Sequence, residues 1–189
     1  MLRFFTKNEP NPAVQALYDK AVAQARLPIF YQTFGVPDTL EGRFDMVVFH
    51  VWPLIDTLRT EDGAISGDGQ ALFDAFVYDM EQNLRSIGVS DTTFPKKMKA
   101  IGKAFYGRFD AYRTATGDPA ALAVVAARNI LGDEGRCGTA EARALGAYGQ
   151  AMREAAAGAD VTDLMAAFRY PHPAPFTPGA GAPTSAAQT

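Results

Sequence analysis

"DTLEGRFDMVVFHVWPLIDTLR", residues 38–59, decides the fold class. Leu40, Phe44, Val47, Val48, Val51, Ile55 and Leu58 recur at three- and four-residue intervals. That is the period of an α-helix with one apolar stripe. Asp38 is read as the cap and Glu41, three residues on, as the second half of a capping box. Pro53 falls inside the run. Phe49 and Trp52 lie to one side of the stripe, with Asp45 and Asp56.

The same period extends in both directions. A first helix is expected from Asn11 to Arg26, with Pro12 at its first position. An aromatic connector, "PIFYQTFGVP" (28–37), leads into the helix already described. A third helix spans about Gln70 to Ile87 and carries Leu72, Phe73, Phe76, Val77, Met80, Leu84 and Ile87. A fourth starts near Asp91 or Thr93 and runs to about Thr116, with Met98, Ile101, Phe105, Phe109 and Tyr112 as its stripe. Shorter helices follow from Asp118, Thr139 and Asp160, the last ending near Arg169. No stretch shows strand-like alternation and none repeats. The expectation is an all-α single bundle of six to seven helices over residues 11–169. Residues 1–10 are expected to be flexible, and the Pro/Gly/Ala-rich tail 170–189 disordered.

Composition narrows the function. With 189 residues and 48% hydrophobic content the chain suits one globular domain. A net charge of -3 argues against a general nucleic-acid binder. The single cysteine, Cys137, allows no internal disulfide and no cysteine metal cluster. No apolar run approaches the roughly 20 residues of a membrane span. His50 and His172 are the only histidines, and neither belongs to an HExxH-type or Glu-x-x-His set. His50 reads as a hydrogen-bonded packing residue rather than a haem ligand. No nucleophile elbow, P-loop or dinucleotide fingerprint is present, so no enzyme and no cofactor is expected.

Charge is segregated along the chain. Residues 61–91 hold seven acids against one base, and residues 94–113 hold six bases against one acid. On a helical wheel Lys96, Lys99, Lys103 and Asp110 point outward, flanked by Tyr106. Cations at a helix start oppose the dipole at a cost of a few tenths to about 1 kcal/mol. Stability alone does not select them, which favours a basic patch for an anionic or acidic partner over a merely solvated face. Lys97 and Arg108 sit at the edge of the stripe, beside Ile101 and Tyr112. Arg108 is expected to be largely buried and paired with a carboxylate of the preceding helix, Asp79 first.

Three blocks carry a resemblance. They are "ARLPIFYQTFGVPDTLEGRFDMVVFHVWPLIDTLR" (25–59), "LFDAFVYDMEQNLRSIGVSD" (72–91) and "PKKMKAIGKAFYGRFDAY" (95–112). In order and spacing they resemble the ubiquinol–cytochrome c chaperone family, and the alanine-rich composition resembles that of a bacterial homologue. The resemblance implies an all-helical, non-enzymatic assembly chaperone. Mitochondrial members bind newly made cytochrome b and aid its assembly into ubiquinol–cytochrome c reductase, with a small partner protein and near the ribosomal exit. It gives the basic face (Lys96, Lys99, Lys103, Tyr106) a client or an anionic membrane surface to meet. Phe49 and Trp52 become candidates for an apolar client groove, or for packing against the aromatic connector. The expected location is the cytoplasm, or the periphery of the inner membrane. Two rival readings are a membrane-surface scaffold that binds anionic lipid through the basic helix face, and a small-molecule or haem-binding helical domain.

Overall fold

The helical periodicities are realised as eight α-helices in the structure, a computed structural model that describes residues 12–179. They are α1 (Pro12–Ala25), α2 (Pro28–Gln32), α3 (Leu40–Thr57), α4 (Gly67–Ser86), α5 (Phe94–Ala115), α6 (Pro119–Asn129), α7 (Ala140–Ala156) and α8 (Val161–Ala166). All seven helices read from the sequence are there, and the aromatic connector supplies α2. No strand occurs among the described residues; an isolated bridge between Arg59 and Ile65 closes the loop after α3. No helix among them is long and apolar enough to cross a membrane.

Local chemistry sets the helix starts, and moves two of them. Thr39 caps α3 by accepting from the Gly42 amide at 3.1 Å. Asp38 lies one residue outside and pairs with Arg43 at 2.6 Å, so the proposed capping box with Glu41 does not form. Ser66 caps α4 through the Gly69 amide at 3.1 Å, and the helix begins at Gly67 rather than Gln70. Asp118, Thr139 and Asp160 cap α6, α7 and α8 as read. Thr93 precedes α5, but its hydroxyl bonds Ser90 and caps nothing.

α3 is the axis of the fold. It packs against α1, α4, α5 and α7, and every residue from Asp45 to Asp56 is buried. A helix buried on all sides is apolar all round, and between Met46 and Ile55 only His50 is polar. The single stripe read from the sequence therefore understates the buried surface. Phe49 and Trp52 are both 0% exposed, which removes them as a client groove. Among the described residues their ring contacts beyond α3 run to α5 and α7 rather than to the connector: Phe49 stacks on Trp52, both rings lie about Tyr112 of α5, and Phe49 also meets Tyr148 of α7. Gly149 of α7 makes room for Phe49; a Cβ there would come within 2.9 Å of the ring.

Three ion pairs engage the two buried carboxylates of this helix. Asp56 is buried and accepts from Arg59 at 3.1 Å and Arg153 at 2.9 Å. Asp45 is buried and pairs with Arg108 at 2.5 Å. The expected partner, Asp79, turns instead toward α1, where Tyr18 donates to it at 2.8 Å; Asn83 donates at 3.1 Å. The reason is packing. α5 crosses α3, so Arg108 meets α3's carboxylate, while Asp79's side of α4 faces α1. Among the described residues no ion pair joins an acid of α4 to a lysine of α5.

The chain after Arg169 is not loose where it is described. The Tyr170 hydroxyl donates to the His50 carbonyl at 2.8 Å, Gln24 donates to the Pro171 carbonyl at 3.4 Å, and Phe176 rests against Tyr148. Disorder is thus corrected for residues 170–179, because Tyr170 and Phe176 have aromatic surface to bury. Residues 180–189, the flexible start 1–10 and the Asn11 cap lie outside the described residues.

Candidate functional site

An apolar groove opens where the start of α3, the end of α4 and the first half of α5 converge. Phe44, Val47, Met80 and Ile101 line it, and its volume is about 500 Å³. Leu40 and Ile87 stand on its lips, 74% and 64% exposed. They are the two most exposed large hydrophobic side chains among the described residues. Both belong to their helices' apolar stripes but sit at helix ends, beyond the reach of a neighbouring helix. On α5 the small residues Ala100 and Ala104 keep the groove wide.

Arg108 gives the groove a polar end. Its guanidinium lies 5.3 Å from the centre of the Phe44 ring, donates to Asp45 and reaches the Ala104 carbonyl at 3.4 Å. Burial pushes the Asp45 carboxyl up to about 6, and the Arg108 charge offsets only part of that. Arg26, just past the end of α1, lines the same groove, with Glu41 as its acidic wall residue. A groove of this size takes a few aliphatic side chains from a partner segment, the mode in which one helix lies in another protein's cleft.

The lysines singled out in the sequence lie off this groove. Lys96, Lys99 and Lys103 are exposed, as read. Helical register puts them on a different flank of α5 from Ala100, Ile101, Ala104 and Arg108. Lys103 and Tyr106 line a second, more open cleft of about 820 Å³ with Arg59, Phe109, Asp110 and Arg113. Tyr106 is half-buried, its ring 5.5 Å from Phe73. Lys97, one turn before Ile101, continues the groove side of the helix.

Residues 32–168 match the family model described as ubiquinol-cytochrome C chaperone. The chain belongs to this family. A similar solved structure is the crystal structure of the Cbp3 homolog from Brucella abortus. It is 33% identical, covers 86% of this chain and 90% of its own, and superposes with a TM-score of 0.71. No curated protein matches.

In this ubiquinol–cytochrome c chaperone family member, the matched region holds every groove residue except Arg26. No group of three or more metal-ligating side chains occurs among the described residues. His50 is not open to a haem iron: it is fully buried and both ring nitrogens are engaged. Nδ1 lies 2.8 Å from the Met46 carbonyl and so carries the proton; Nε2 accepts from the Tyr148 hydroxyl at 3.3 Å. Tyr148 accepts in turn from Gln24 at 2.9 Å. Burial lowers the His50 pKa to about 4, so the ring is neutral near pH 7. Cys137 is exposed, in the turn between α6 and α7.

Leu40 and Ile87 are what the sequence reading missed. Their stripe positions were visible, but periodicity names the apolar face and not the part of it left uncovered. Their only sequence signal is that each sits at a boundary, next to Thr39 or Gly88.

Proposed function

We propose that this chain is an assembly chaperone that holds an apolar segment of newly made cytochrome b in the groove between α3, α4 and α5. The observation that carries this reading is the pair of exposed lips, Leu40 and Ile87, over a floor of Phe44, Val47, Met80 and Ile101. Contiguous exposed apolar surface on a soluble domain marks an interaction site. Family membership supports a protein client, and cytochrome b is the client that membership suggests. Work at the periphery of the inner membrane and help from a small partner protein or the ribosome fit the same reading. A non-enzymatic role agrees with a site whose chemistry is apolar contact and one ion pair.

The test is co-purification with tagged cytochrome b. Wild type is compared with Leu40→Ser/Ile87→Ser and with Lys96→Glu/Lys99→Glu/Lys103→Glu, each shown folded by circular dichroism. The groove variant is expected to lose capture by at least tenfold. Equal capture by wild type and the groove variant would remove the groove as the client site. Loss only in the lysine variant would move the client to the face that carries Lys96, Lys99, Lys103 and Tyr106.

A further inference from the structure

The turn between α4 and α5 has its own chemistry. From Arg85 to Lys99 there are four cations (Arg85, Lys96, Lys97, Lys99) and one acid, Asp91. All three lysines are exposed, and no ion pair reaches them among the described residues. Ile87 projects from the same turn at 64% exposure. Arg85 lies 4.7 Å over the ring of Phe94 and pairs with Glu81 at 2.7 Å, so it is already held while the lysines are not. The first turn of α5 contains no acidic residue. Asp91, the one acid of the segment, forms no ion pair with any of the three lysines.

We infer that this turn is the contact by which the protein docks on an anionic phospholipid surface. The lysines stand on an exposed turn rather than around a buried donor set, and exposed charges of this kind meet a flat surface well. Lysines near such a surface are drawn to its headgroup charge, and an aliphatic side chain among them enters the boundary between headgroup and acyl chain. Ile87 also stands on the lip of the apolar groove, so the groove opens beside the bilayer. The inference rests on the turn's charge and exposure and stands whether or not the groove holds cytochrome b.

The experiment is flotation of the full chain with phosphatidylcholine vesicles, with and without phosphatidylglycerol. Binding is expected only with phosphatidylglycerol and is lost at high ionic strength, as screening requires. Each lysine near the surface contributes roughly fivefold, so Lys96→Glu/Lys97→Glu/Lys99→Glu should weaken binding by roughly a hundredfold or more. Ile87→Ser should weaken it while leaving the salt dependence unchanged. An environment-sensitive dye on Ile87→Cys in a Cys137→Ser background should shift to shorter wavelength on binding, and the same dye on native Cys137 should not. No flotation with phosphatidylglycerol, full binding by the lysine variant, or a dye at position 87 that stays in water would each overturn the proposal. Retention on polyglutamate without retention on vesicles would overturn it too, and assign the turn to an acidic protein.

Discussion

His50 is the residue whose chemistry is most open to measurement. Its ring is neutral when folded, with a pKa of about 4 against 6.5 when free. Between those values the unfolded chain holds the extra proton, so stability falls as pH drops from 6.5 toward 4. The full effect is about 3 kcal/mol. Asp45 acts in the opposite sense: its carboxyl is raised to about 6 from 3.8, so the stability it contributes is present below about 4 and is lost as pH rises through 6. The two windows overlap, and His50→Gln separates them. Denaturant unfolding at pH 6.5 and 4.5 should show the wild type losing more stability on acidification than the variant. Phe49 and Trp52 make a second test at this scale. Both are enclosed by α3, α5 and α7, so Trp52→Ala should cost about 3–5 kcal/mol. A Trp52→Ala protein that keeps its unfolding midpoint would contradict their place in the core.

At the scale of elements, α6 and α7 share the most extensive helix–helix contact among the described residues. Gly146 lies against the start of α6, where a Cβ would fall 2.3 Å from the Pro119 carbonyl oxygen and 2.7 Å from the Ala123 amide nitrogen. Replacing glycine by alanine in a helix interior normally gains about 1 kcal/mol. Here the contact is with backbone, which cannot rotate away, so Gly146→Ala should instead destabilise by about 1–3 kcal/mol, read from denaturant midpoints. This scale also shows where legibility ends. The helices themselves were readable because their signal is local: spacing, caps and glycine stops. Neighbouring Asp38 and Thr39 can both cap, and only the reach to the Gly42 amide decides between them. The partner of Arg108 was not readable, because Asp45 and Asp79 sit on different helices and the crossing of α3 and α5 selects one. For the site, the same limit applied. The stripes containing Leu40 and Ile87 could be read, but their exposure depends on which helices stop short.

Across the whole molecule, α3 separates two surfaces. On one side are the apolar groove and the start of α5. On another, the segment after Arg169 crosses α1, α3 and α7, tied through Gln24, the His50 carbonyl and Tyr148. The hydroxyl of Tyr170 is buried, and Phe168 and His50 both meet its ring. Removing residues 170–189 strips that contact and opens Tyr148, whose ring is otherwise fully covered. The shortened chain should therefore lose about 2–4 kcal/mol, the range for deleting a large buried side chain. The groove draws its walls from α3, α4 and α5, with Arg26 at its edge, so at a temperature where the shortened chain is folded it should capture client as the full chain does. Calorimetry and co-purification on the same preparations separate the two effects. Lost capture by a folded, shortened chain would join the tail to the client surface, and an unchanged unfolding midpoint would mean that the docked segment contributes nothing to the fold.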